Sequence, residues 1–193
     1  MIWWIKTRRA HSVLPAALAG YLLYVLVSRN TFVPLPSIVG ASNVVLSSFA
    51  PIPVVVGLAM SLSSRLPAAE ASGTRQIPRM DAVLATTVVA AAVAIGLLLM
   101  NVTDATQAAA AGRNTAFLVG LFLCAKAVVG QRAVLIPVAW LMAVVLLGFR
   151  ASGDPYPWTI VPEPAGAPHA AIGAAVLFLA GIMTLLRTSR KLS

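Results

Sequence analysis

The chain is poor in charge: 10% of its 193 residues are Asp, Glu, Lys or Arg, and only five of these are acidic. Soluble globular domains carry about 25% charged residues, so a water-facing surface around a single core is not expected. Cysteine is almost missing as well. Cys124 stands alone inside an apolar run, which excludes an intrachain disulfide and any cysteine-based metal spacing, and leaves a packing role. The only histidines, His11 and His169, lie near opposite ends of the chain, so neither a paired-histidine haem site nor an H-E-x-x-H zinc site can be built. None of the three lysines, Lys6, Lys126 and Lys191, follows a glycine. The chain therefore has no P-loop with which to hydrolyse ATP itself.

What remains is apolar. Hydrophobic residues make up 60% of the sequence, and the mean hydropathy is +0.92, so lipid is the expected solvent. A net charge of +9 raises the question of nucleic acid. A nucleic-acid footprint gathers its cations on one solvated face, whereas here they form short clusters between long apolar runs, which is the pattern of membrane topology.

A helix crossing the hydrocarbon core needs about 20 apolar residues. Cutting the sequence at its polar clusters gives six expected spans: Ser12–Ser28, Ser37–Leu62, Ala82–Met100, Thr115–Gly130, Ala133–Phe149 and His169–Leu186. The first, fourth and fifth are short, so their ends are expected to extend into flanking Asn, Thr and Gly residues. The run Val13–Val27 after Lys6, Arg8 and Arg9 resembles a signal peptide but lacks a small-x-small cleavage pattern, and reads as an uncleaved first span. With the N-terminus inside, eleven Lys and Arg residues fall on the cytoplasmic side, leaving only three, Arg29, Arg113 and Arg150, outside. That bias sets the expected orientation, with both termini cytoplasmic, and favours an even number of spans. The expected organisation is an interfacial N-terminal helix over residues 1–11, a six-helix transmembrane domain over 12–186 and a basic cytoplasmic tail over 187–193. The fold class is all-α integral membrane.

Three loops are long enough to have character: Ser63–Asp81 inside, and Asn101–Asn114 and Arg150–Pro168 outside. The last has five prolines, which prevent a continuous helix. Its Tyr156, Trp158, Ile160 and Val161 are apolar enough for the headgroup level. A folded cap or shallow re-entrant element is expected there, with an ordinary interfacial loop as the alternative.

Several residues are candidates for function. Trp3 and Trp4 beside Lys6, Arg8 and Arg9 suit a short helix lying in the inner interface, either docking a partner or orienting the first span. Pro51 and Pro53 are expected in the middle of the second span, where they would kink or unwind it, with Ser42, Asn43, Ser47 and Ser48 just before. Polar residues beside such a break either line a pathway or bond a neighbouring helix. Charge deep in the bilayer costs at least about 2.5–3.5 kcal/mol. Asp81, Arg113 and Lys126 are all expected close to a membrane boundary, with Asp81 able to cap the third helix, which argues against ion-coupled antiport. An intramembrane serine protease built on Ser42 and His169 is disfavoured because Asn43 replaces the second glycine of a G-x-S-G pattern.

The layout resembles the membrane subunit of ABC-2-type exporters: six spans, an interfacial N-terminal helix, a basic loop between spans two and three, and a structured outer loop before the last span. The stretches S-R-L-P-A-A-E-A-S within Ser63–Ser72, I-P-R-M-D at Ile77–Asp81 and A-G-R-N at Ala111–Asn114 carry the likeness to small permease-like proteins of high-GC bacteria. The resemblance implies a permease without cofactor or nucleotide site in the bacterial cytoplasmic membrane. It would act as a dimer with itself or a second permease chain, and with a separate ATPase subunit. On this sequence the implied coupling surface is Trp3, Trp4, Lys6, Arg8 and Arg9 together with Arg65, Glu70, Arg75, Arg79 and Asp81. The implied translocation path passes Ser42, Asn43, Ser47, Pro51 and Pro53, between facing copies of spans two and five. The expected function is export of an amphipathic or lipid-like molecule, an antibiotic or peptide among them, as in antibiotic resistance. The rival is a non-transporting immunity or assembly scaffold protein, and a membrane enzyme comes third. No nucleic-acid partner is expected.

Overall fold

The computed structural model describes residues 10–28, 31–38, 40–64, 77–103 and 105–188. It is mostly helical. In chain order the elements are α1 (Ala10–Ser28), the strands β1 (Phe32–Ser37) and β2 (Gly40–Val45), a 3-10 turn (Leu46–Phe49), α2 (Pro51–Ser63), α3 (Ile77–Val102), α4 (Ala108–Val129), a second 3-10 turn (Gly130–Val134), α5 (Leu135–Leu147) and α6 (Pro168–Thr188). Five helical stretches are long and apolar enough to cross a membrane: Ala10–Ser28, Leu46–Ser63, Ile77–Val102, Ala108–Leu147 and Pro168–Arg187. The fourth, at 40 residues, is not one rod. Gly130 adopts φ 64°, a left-handed conformation open to glycine, and the chain reverses there so that the rings of Phe117 and Trp140 meet at 5.6 Å.

The helices run alternately up and down. Gly20 meets Pro53 and Gly57 meets Ala17, so α1 and α2 are antiparallel; Gly96 meets Ala108 and Gly112 meets Val93, so α3 and α4 are antiparallel too. Gly120 meets Leu177 and Phe178 while Gly181 meets Leu123. Thus α4 and α6 run in the same direction. Residues 10 and 188 consequently lie at one end of the bundle, and the hairpin and the loop after α5 lie at the other. Helix α4 is the hub, touching α2, α3, α5 and α6. Its Phe117, Leu118, Phe122 and Leu123 share a core with Leu58 and Leu62 of α2. On α1 the buried residues Leu14, Ala17, Tyr21, Val25 and Ser28 form a single stripe, with the three- and four-residue spacing of one helical face. The outward faces remain apolar, as Leu23, Val27, Leu98, Leu135, Ile172 and Leu179 show. That is the surface a lipid environment covers.

The second expected span needs correction. The apolar run from Ser37 does not enter a helix directly: Phe32–Ser37 and Gly40–Val45 pair as an antiparallel hairpin, Pro34 opposite Asn43 and Leu35 opposite Ser42. Pro34 and Pro36 forbid helix over β1, and the β-branched Val33, Val44 and Val45 suit a strand. Pro51 and Pro53 therefore do not interrupt a helix. Pro51 occupies the first position of α2, where its missing N–H and fixed φ are favourable. The class is accordingly helical with a two-stranded hairpin, not purely α. A second correction concerns the expected loop Asn101–Asn114: α3 runs to Val102 and α4 begins at Ala108, so most of it is helix.

Candidate functional site

The most elaborate chemistry of the molecule sits where the first turns of α4 meet the loop between α5 and α6. Asn114 and Thr115 are almost wholly buried there. Arg113 donates through Nη1 to the carbonyl of Pro164 at 2.8 Å, and through Nη2 to the carbonyls of Glu163 at 2.7 Å and Ile160 at 3.0 Å. Its Nε and Nη2 also reach Asn114 Oδ1, and Asn114 Nδ2 donates to the carbonyl of Val161 at 2.8 Å. A planar guanidinium with five donors is suited to gathering several carbonyls at once. Without it, the loop that five prolines keep from becoming helix would leave those carbonyls unpaired against an apolar bundle.

The loop pays one local cost. Ile160 has φ 54°, an outlier for a β-branched residue, worth roughly 1–3 kcal/mol. It persists because both ends of the residue are held: its carbonyl by Arg113, and its side chain by a notch at Gly173, where a Cβ would lie 2.8 Å from Ile160 Cδ1. Thr159, fully buried, donates its hydroxyl to the carbonyl of Tyr156 at 2.6 Å. Glu163 Oε1 lies 3.5 Å from His169 Nε2, at the start of α6, an ion pair whenever the imidazole holds its second proton.

The hairpin completes the cap. Ser37 Oγ and the Ile38 N–H both donate to the carbonyl of Leu146, at 3.0 and 3.1 Å. They satisfy a carbonyl that the end of α5 leaves without a helical partner. After α5 the chain makes a small turn, with Phe149 bridged to Pro155 and the Arg150 N–H bonded to the Asp154 carbonyl. Between this turn, the hairpin and Gln107 lies an open cleft of about 300 Å³, lined by Phe32, Asn43, Val45, Phe149 and three prolines among others. Among the described residues its lining has two carboxamides, Asn43 and Gln107, and no charged side chain.

No family model, curated protein or solved structure matches this chain.

Of the residues expected to form the coupling surface, Trp3, Trp4, Lys6, Arg8, Arg9, Arg65, Glu70 and Arg75 lie outside the described residues. Arg79 is exposed in the first turn of α3, at the end of the bundle opposite the cap. Asp81 is a correction. It is fully buried, five residues into α3, so it does not cap that helix. The expected path residues lie toward the capped end: Ser42 and Asn43 on β2, Ser47 buried in the 3-10 turn, Pro51 opening α2, and Pro53 against Gly20. Asn43 lines the cleft.

The Arg113–Asn114 clasp was not anticipated as a structural device. Its signal was present in A-G-R-N, an ionic and an amide side chain opening an otherwise apolar helix, whose donors had to find acceptors. Among the described residues no group of three or more His, Cys, Asp or Glu side chains converges as a metal site would.

Proposed function

We propose that the chain is the membrane-spanning permease subunit of an ABC-type exporter, crossing the bacterial cytoplasmic membrane six times with both termini in the cytoplasm. It moves an amphipathic or lipid-like molecule, a peptide or antibiotic included, with ATP hydrolysed by a separate chain. The observation that carries this reading is the polarity of the bundle. One end gathers residues 10 and 188 with Arg79, Lys126, Arg132 and Arg187, while the other end is a bonded cap around a cleft of mixed apolar and amide character. Cations concentrate at the cytoplasmic ends of membrane helices, so the basic end faces the ATPase and the cap faces outward.

The sixth crossing comes from the reversal at Gly130. Five residues of 3-10 helix and 13 of α-helix rise about 30 Å together, which matches the hydrocarbon core. Lys126 supports the same sidedness: its ammonium donates to the Leu62 carbonyl at 3.3 Å, closing the end of α2 at the basic face.

The test is a pull-down of the ATPase partner with Arg75→Glu combined with Arg79→Glu. Co-purification falls by about tenfold, the loss expected for reversing two interfacial charges, while membrane insertion is unchanged. Full retention of the ATPase would overturn the docking surface. A second reading, an immunity or scaffold protein that does not transport, is favoured by the clasp, which ties the loop between α5 and α6 to α4. It predicts normal cellular protection when the ATPase is inactivated.

A further inference from the structure

The loop after α5 carries an aromatic stack that runs from the core to the surface. Phe117 is buried against Trp140; Trp140 meets Trp158 edge to face at 5.8 Å; Trp158 stacks on Tyr156 at 6.5 Å; and the guanidinium of Arg150 lies 5.2 Å from the Tyr156 ring centre. Tyr156 and Trp158 are 36% and 45% exposed. The stack is therefore rigidly rooted at one end and open at the other.

Arg150 differs from Arg113, the other described cation at this end among those expected outside. Arg113 spends its donors on loop carbonyls, whereas the Arg150 guanidinium has no hydrogen-bond acceptor and no carboxylate within ion-pair distance among the described residues. Its nearest acidic neighbour in sequence, Asp154, accepts instead from the Ser152 hydroxyl at 2.8 Å. A guanidinium lying over a ring keeps its edge donors available, and those donors match phosphate oxygens two at a time.

The depth of the group follows from the helix before it. The stretch Gly130–Leu147 is about 30 Å long, its last residues Leu146 and Leu147 are 44% and 50% exposed, and Arg150 comes three residues later. That places the guanidinium and its two exposed rings at the headgroup layer, where Trp and Tyr are enriched.

We propose that Arg150, Tyr156 and Trp158 form a binding site for the phosphate of an anionic phospholipid in the leaflet at the capped end. The phosphate lies on the edge of the guanidinium, and the rings lie against glycerol and upper acyl carbons. The site requires only that Gly130–Leu147 lie in the bilayer, and stands whether or not the chain transports. By tethering the loop to the leaflet, it holds the rim of the cleft on the side of Phe149 and Pro155.

The experiment is native mass spectrometry of the full chain released from detergent, with phosphatidylglycerol and phosphatidylcholine supplied in turn. Phosphatidylglycerol adducts on the unaltered chain exceed those on Arg150→Gln by about fivefold, the factor expected for one cation at a lipid surface, while the difference is smaller for phosphatidylcholine, whose choline cancels the charge of the same phosphodiester. Tyr156→Leu keeps the cation and removes the ring, and lowers phosphatidylglycerol occupancy by about twofold. Both variants retain the unaltered helical circular dichroism, which separates lost binding from lost fold. Equal phosphatidylglycerol occupancy in Arg150→Gln would overturn the site. Displacement of the lipid by inorganic phosphate would overturn its assignment to a headgroup.

Discussion

The two halves of α4 meet their neighbours by different chemistry. In the first half, Arg113 and Asn114 hold a loop that has no regular structure of its own, through directional bonds to the carbonyls of Ile160, Val161, Glu163 and Pro164. In the second half, Gly120 lets the backbone of α6 approach so closely that a Cβ would lie 2.6 Å from the Phe178 nitrogen, and the contact is held by shape. Lipid offers no hydrophobic drive between helices, so close backbone approach through small residues must supply the association. The loop has no repeating surface to interdigitate, so only hydrogen bonds can fix it. The lesson is that one helix serves both as a wall of the bundle and as the anchor of its lid.

Removing the clasp is the strongest way to break this contrast. Arg113→Ala leaves three carbonyls unpaired and destabilises the cap by about 3 kcal/mol, seen as roughly hundredfold faster amide exchange over residues 156–167 with α2 and the second half of α4 unaffected. Uniformly faster exchange along the whole chain would instead show cap and bundle to be one cooperative unit. Gly120→Val tests the other half. Overpacking against the α6 backbone costs about 2 kcal/mol, appears as a lower thermal midpoint in detergent, and leaves exchange in the loop unchanged relative to the bundle. Ser37→Ala sharpens the comparison at the hairpin, where one of two donors to Leu146 is lost: the expected destabilisation is about 1 kcal/mol, with faster exchange confined to the amides of Ile38 and the end of α5. The smallest effect belongs to Gly166→Ala, since a Cβ there meets nothing within 4 Å, and a change beyond about 0.5 kcal/mol would mean the loop packs more tightly than its contacts indicate.

Helices were the legible part. Long apolar runs bounded by polar clusters located α1, α3 and α6, because their signal is length and hydropathy, both local. The stretch from Ser37 to Val45 misleads for the same reason: apolar content says nothing about period, and Pro34, Pro36 and the paired valines are the residues to weigh. A boundary at the first apolar residue misplaces Asp81, which lies inside the helix Ile77–Val102 and is fully buried. Arg113 shows the opposite difficulty. Its partners are backbone carbonyls some 50 positions away, and no side-chain pattern announces a backbone acceptor. The bound cap was foreseeable as a need, from prolines that leave carbonyls unsatisfied, though not as a particular pair of residues.

The hairpin register carries one more consequence. Leu46 donates to the Thr31 carbonyl, so in this alternation Val33, Leu35 and Ser37 of β1 point their amides at β2, and Phe32, Pro34 and Pro36 turn theirs to the open edge. Two of those three have no hydrogen to offer. A ribbon blunted in this way makes a poor template for a stray strand from another polypeptide, so the fold can display extended backbone at the capped end without inviting fibrillar growth there.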